Sequence, residues 1–248
     1  MAIFGLSDLH LSFRHKVNLY QIDPKQDIEK PMDIFDWNPR YFDLIRDHWV
    51  EHVGVSDTVL IPGDISWGLR LSEAVWDFDW IAQLPGNKVL SPGNHCYYAH
   101  SKKKVREALP EGMEWIDADW TLVEDYVVVA TRGWNLPGDY SFQEQTDRKI
   151  YERQVGRLQL ALTDARKHHP DRPIICMLHY PPLTKGCTES GFFQLLKEFS
   201  VRLCLFGHLH GSSAYDAIQG NIDEVQLCLV ACDYLKFAPL DLTQWLYN

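Results

Sequence analysis

Seven short apolar runs rich in Val, Ile and Leu constrain the fold more than any other feature of this chain: "AIFGL", "TVLI", "KVL", "YVVVAT", "PIICML", "RLCLF" and "VQLCLVA". Runs this short, without polar alternation, predict strands buried on both faces. Helix patterns separate several of them. Asn38 and Pro39 open a segment with Phe42, Ile45 and Trp49 on one face, where Asn suits the cap and Pro the first helical position. A second segment carries Ser72, Ala74, Val75, Phe78 and Ile81, and a longer one Tyr151, Val155, Leu158, Leu162 and Ala165. Strands alternating with helices imply an α/β fold. Residues 12–37 are polar, with two prolines and many charges, and read as a long loop. No repeat, low-complexity tract or linker divides the chain, so residues 1–248 are expected to form a single domain with a cap or loop insertion at 12–37.

Length and composition exclude several classes. At 248 residues and 46% hydrophobic content a buried core is readily formed. The net charge of -10 argues against long-range capture of nucleic acid or acidic membranes, and no stable nucleic-acid binding is expected. No apolar run approaches the roughly 20 residues of a membrane-spanning helix. The N-terminus enters a strand without a basic segment or cleavage site, and the expected location is cytoplasmic. The six cysteines form no C-x-x-C pair, and Cys176, Cys204 and Cys228 lie inside apolar runs, so neither disulfides nor a cysteine-based zinc site is expected.

The residues just beyond each predicted strand are more informative. "SDLH" places Asp8 and His10 after the first run, "PGDISWG" places Asp64, "SPGNHCYY" places Asn94 and His95, "HYPP" places His179, and "GHLHG" places His208 and His210. Ligands of parallel α/β sheets bind beyond the carboxyl ends of the strands, so five exits can deliver these side chains to one place. Asp8, His10, Asp64, Asn94, His179, His208 and His210 offer seven N and O donors and no sulfur, more than one tetrahedral zinc can use. Two metals fit better. With one bridging carboxylate, each ion has about four protein ligands plus water, an arrangement used for in-line displacement at phosphorus. Two divalent cations against two carboxylates also leave a net positive pocket for a phosphate anion.

The order D-x-H, GD, GNH, H, GH-x-H resembles the calcineurin-like metallophosphoesterase superfamily, with all five blocks in order from Asp8 to His210. The resemblance implies a four-layer α/β/β/α sandwich. It implies two divalent metals, Mn, Fe or Zn: Asp8, His10, Asp64 and His210 on one, and Asp64, Asn94, His179 and His208 on the other, with Asp64 bridging. It implies a phosphohydrolase that cleaves a phosphomonoester or phosphodiester by in-line attack of a metal-bridging hydroxide, with His95 contacting the phosphate or protonating the leaving oxygen. Three departures stand out. Cys96 replaces the acid that often follows GNH and orients its histidine; "GDISWG" lacks the Asp-Arg-Gly of protein serine/threonine phosphatases, which argues against phosphoprotein substrates; and the gap from His10 to Asp64 is long.

Other residues carry blander expectations. His15, His48, His52, His100, His168 and His169 lack the strand-exit context and read as surface residues; Cys96 reads as a small filler rather than a redox group. Arg132 is a candidate for a substrate phosphate or a structural ion pair, and Trp67, Tyr97 and Tyr98 for packing or for a pocket floor. Lys102 to Lys104 read as a solvated helix face. Two competing functions are a non-catalytic scaffold that keeps the fold, against which the intact ligand set argues, and a barrel amidohydrolase, which H-x-H on the first strand would signal instead.

Overall fold

The structure is a computed structural model and describes residues 1–246. Eleven strands occur among them: β1 (Ile3–Gly5), β2 (Thr58–Pro62), β3 (Asn87–Ser91), β4 (Met113–Trp115), β5 (Asp119–Val123), β6 (Tyr126–Thr131), β7 (Ile174–Leu178), β8 (Val201–Phe206), β9 (Gly220–Ile222), β10 (Val225–Leu229) and β11 (Leu240–Asp241). The helices are α1 (Pro24–Asp27), α2 (Tyr41–His52), α3 (Leu71–Ala82), α4 (Lys102–Ala108), α5 (Glu144–His168), α6 (Gly191–Glu198) and α7 (Thr243–Leu246). One sheet has the order β11-β1-β2-β3-β4 and the other β5-β6-β7-β8-β10-β9. β1 to β4 pair in parallel, as do β6, β7, β8 and β10, while β11, β5 and β9 add antiparallel edges.

The apolar runs account for four layers, because alternate side chains of each strand enter different cores. Val59 and Ile61 of β2 pack with Phe42, Ile45 and Trp49 of α2 and Phe78 and Ile81 of α3, whereas Leu60 faces the other way. In the second sheet Val127, Val129, Ile174, Cys176 and Leu178 pack on Leu158 and Leu162 of α5 and Phe192 and Leu196 of α6. Between the sheets lie Ile3, Leu60, Val128, Ala130, Ile175, Met177, Leu203 and Leu205. Two sheets packed face to face, each covered by helices, make the α/β/β/α sandwich. A strand buried on both faces needs apolar residues throughout, which is why these runs lack alternation.

All seven apolar runs form strands. The helix read from Asn38 and Pro39 begins later, at Tyr41; Asn38 instead closes the preceding turn, accepting from Arg40 N at 2.9 Å through its side chain and from Tyr41 N at 2.9 Å through its carbonyl. α3 starts at Leu71, where the Glu73 carboxylate accepts from Leu69 N and Arg70 N. Residues 12–37 are mostly irregular, but Phe13, Val17, Leu19, Ile22, Ile28 and Met32 are buried in the core beneath α2 and α3. No helix among the described residues is long and apolar enough to cross a membrane.

Candidate metal centre

Four of the seven candidate ligands sit in left-handed backbone: Asp8 at φ 60°, His10 at 45°, Asp64 at 47° and His208 at 71°. Non-glycine residues avoid this region, and they persist there only where surrounding structure holds them. Here the loops after β1 and β2 keep pairing: Asp8 N donates to Gly63 O at 3.1 Å, His10 N to Asp64 O at 3.0 Å and Leu11 N to Ile65 O at 3.0 Å. The Tyr41 hydroxyl donates to His10 O at 2.5 Å, and the Cys232 thiol to Asp8 O at 2.9 Å. Gly93 and Gly207 lie against carboxylates, so that a Cβ at either would overlap Asp64 Oδ1 or Asp8 Oδ2 respectively. Glycine is required there for space.

The side chains converge in two overlapping sets. Around Asp8, His210 Nε2 lies 3.2 Å and His10 Nε2 3.9 Å from Oδ1, and the two imidazole nitrogens are 3.4 Å apart. Around Asn94, Oδ1 lies 2.7 Å from His179 Nε2 and 2.9 Å from His208 Nδ1. Asp64 Oδ2 touches both sets, 3.8 Å from His10 Nε2 and 3.3 Å from His179 Nε2. Donors held about 2.1 Å from one ion lie roughly 3 Å or slightly more from each other, so these spacings suit shared coordination. Asp8, His10 and His210, and likewise Asp8, Asp64 and His179, bring donor atoms within 4.8 Å of one another and can hold a metal ion.

Outer partners aim the rings inward. His179 Nδ1 faces Pro62 O at 3.1 Å and His210 Nδ1 faces Asp233 Oδ1 at 3.0 Å, leaving both Nε2 atoms toward the centre. Such partners set the tautomer of ligating histidines. Asp233 also accepts from Gly211 N at 3.0 Å. The Ser7 hydroxyl donates to Asp8 Oδ2, and His208 N reaches Asp8 Oδ1 at 3.1 Å.

The electrostatics follow from crowding charge in a dry site. Burial pushes the Asp64 carboxyl up, but His179, His10 and His95 pull it well below the usual carboxylate range. Burial likewise opposes Asp8, which His210 and His179 hold low. Burial drives His10 down to about 4, and His208, beside His179, to about 3. These two imidazoles are neutral at pH 7, the form that binds metal. His210 goes the other way, to about 10, because Asp233 and Asp8 outweigh its burial.

Residues 1–212 match the family described as calcineurin-like phosphoesterase. The chain belongs to that family. The phosphopantetheinyl hydrolase PptH from Mycobacterium tuberculosis shares its fold at 13% identity and a TM-score of 0.55, over 93% of this chain and 88% of that one. AQ665 from Aquifex aeolicus, a protein of unknown function, aligns over 98% and 96% at 13% identity and a TM-score of 0.44. No curated protein matches the chain in sequence.

His95 shows how this member of the calcineurin-like phosphoesterase family departs from the pattern. His95 Nε2 lies 4.0 Å from Asp64 Oδ2, and its backbone N donates to Asp64 Oδ1 at 2.8 Å. Cys96 does not orient the ring: its buried thiol accepts from Gly93 N at 3.3 Å and the Tyr98 hydroxyl at 3.4 Å, and burial pushes it up to about 11, so it carries no thiolate at neutral pH. His95 Nδ1 is buried with no hydrogen-bond partner. Ring contacts with Trp67 at 4.3 Å and Tyr97 at 6.0 Å hold the imidazole instead.

Sequence reasoning missed Asp233, although it stands at the exit of the seventh apolar run, in "ACDYLK", where the same logic could have found it. Trp67, read as packing or a pocket floor, stacks on His10 at 4.8 Å; the rest of the aromatic rim was missed, with Phe35 4.6 Å from the His210 ring and Trp37 6.0 and 5.8 Å from His10 and His210. Among the histidines read as surface residues, His15, His52, His100 and His168 are exposed and His48 and His169 half-buried. His48, Glu51 and His52 are also close enough to hold an ion, but on the outer side of α2 and without a buried partner.

Proposed function

We propose that the protein is a dinuclear metal-dependent phosphohydrolase that cleaves a phosphomonoester or phosphodiester. The observation that carries this reading is Asp64: one buried carboxylate faces both donor sets, as a bridging ligand must. Asp8, His10, Asp64 and His210 would hold one ion, and Asp64, Asn94, His179 and His208 the other. The donor chemistry fits, being all N and O, with Asp8, His10, Asp64 and His179 buried and the His210 and His179 rings fixed from behind by Asp233 and the Pro62 carbonyl. Mixed imidazole, carboxylate and amide donors suit manganese or iron, and also zinc. Bound there, two divalent ions supply Lewis acidity at the phosphoryl oxygens and a hydroxide nucleophile at neutral pH.

The chain's own groups do the rest. Asp8 and Asp64, held ionised, balance cationic charge in the site. His95, at the open side of the centre, is placed to contact the phosphate and to protonate the departing oxygen. Residues 12–37 act as a fixed rim within one domain, since Phe35 and Trp37 close over His10 and His210 while Phe13, Val17, Leu19, Ile22, Ile28 and Met32 anchor the segment in the core.

The test is hydrolysis of p-nitrophenyl phosphate and bis-p-nitrophenyl phosphate by the manganese-loaded protein, with Asp64→Ala as control. Turnover by the parent and a loss in the variant beyond the roughly 10–100-fold typical of an outer-shell change are expected. Absence of turnover with metal bound would favour the scaffold reading.

A further inference from the structure

A cleft of about 340 Å³ opens beside Asn94, lined by Tyr97, His100, Asp117, Arg132, Arg153 and Arg157 among others. Three guanidinium groups therefore face one carboxylate, in a protein whose net charge is -10. Only Arg157 uses that carboxylate, with Nη2 2.6 Å from Asp117 Oδ2. Among the described residues neither Arg132 nor Arg153 forms an ion pair, and the Nε atoms of Arg132 and Arg157 are buried without a hydrogen-bond acceptor.

Arg132 is built into this position. Its carbonyl accepts from His179 N at 3.0 Å and Tyr180 N at 3.1 Å, and its guanidinium lies over Trp134 at 4.5 Å. The exit of β6 thus fixes a cation beside the exit of β7, which carries His179. Burial and the like charge of Arg153 both lower Arg132 from its usual value, although Tyr180 and Asp117 oppose them. Arg153 and Arg157, four residues apart on α5, share one helix face. Like charges gathered with unmet buried donors are costly to fold, and an oxyanion accepting from several of them removes that cost.

We propose that this cleft is a second anion subsite, which receives a phosphate group of the substrate next to the phosphate being hydrolysed. The substrate class is then a small molecule carrying two phosphates. The assignment rests on the phosphohydrolase reading, and Asn94 links the two, since it lines the cleft and touches His179 and His208. A cleft of this size admits a phosphate and its immediate substituent rather than a nucleic-acid duplex.

Isothermal titration of the metal-free protein with inorganic pyrophosphate tests the proposal, with inorganic phosphate and a thymidine oligonucleotide as further probes. One pyrophosphate should bind per chain, more tightly than phosphate or the oligonucleotide. Arg132→Gln and Arg153→Gln should each weaken it by about tenfold or more, as expected for losing a charge-assisted contact. Arg148→Gln, which changes an α5 arginine that pairs with Glu144 outside the cleft, should retain it. Arg153 is exposed, so its variant decides the matter even if Arg132→Gln disturbs the strand exit. No binding, equal binding by the Arg132 and Arg153 variants, equal loss in Arg148→Gln, or preference for the oligonucleotide would each overturn the assignment. Failure of the hydrolase reading appears separately, as pyrophosphate binding without p-nitrophenyl phosphate turnover by the manganese-loaded parent.

Discussion

The two flanks of the candidate metal centre are built from opposite chemistries. On one side Trp67, Phe35 and Trp37 pack on the rings of His10 and His210; on the other, Arg132, Arg153 and Arg157 surround a cleft beside Asn94. Exposure separates them, for the His10 side chain is 1% exposed and that of His210 8%, whereas Arg153 is exposed and Arg132 and Arg157 are half-buried. The aromatic flank keeps donors dry and fixed. The cationic flank is open and charged, which is what a phosphate approaching an acidic protein requires.

His95 stands where the flanks meet, against Trp67 on one side and Tyr97 on the other, and replacing it gives the largest expected contrast. His95→Ala should lower kcat by about 10²–10⁴-fold while metal content stays unchanged, as for loss of a general acid. Steady-state kinetics with elemental analysis checks this, and an unaltered rate would remove His95 from the chemistry. Asp233→Asn acts on the aromatic flank alone, by weakening the group that orients His210. Metal affinity should fall about 10–100-fold in calorimetric titration, and an unchanged affinity would mean that packing by Phe35 and Trp37 suffices.

The smallest effect concerns stability beneath the aromatic flank. Asp77 is buried, accepts from Phe13 N at 2.8 Å and from the Ser66 hydroxyl, and burial raises it from an ordinary 3.8 to about 7. Its folded-state value exceeds its unfolded value, so the native state binds the proton more tightly between these pH values. Its contribution is therefore present at acid pH and is lost as pH rises from about 4 to about 7. Asp77→Asn should flatten that part of the stability profile measured by urea unfolding. A slope identical to the parent's would show that Asp77 does not titrate there.

Legibility differed between the regions for physical reasons. Strands buried on both faces announce themselves as uninterrupted apolar runs, and the chemistry of their exits needs only local order, so the central strands and the donors at the centre were readable. β4, β5, β9 and β11 lie at or next to sheet edges, are short or polar, and left no such run. Phe13, Val17, Ile22 and Ile28 anchor a segment that reads as polar, because irregular backbone imposes no period on its apolar residues. The cationic cleft joins a strand exit at Arg132 to a helix face at Arg153 and Arg157 and to Asn94, a juxtaposition that exists only once both sheets pack.

The proposed function requires that Asp64 serve two ions. Titration of metal-free protein with manganese, followed by elemental analysis of the parent and of Asp64→Ala, decides whether it does. Two ions per chain in the parent and neither retained tightly in the variant is the predicted result. A single ion in the parent, or two ions kept by Asp64→Ala, would exclude a centre bridged by Asp64.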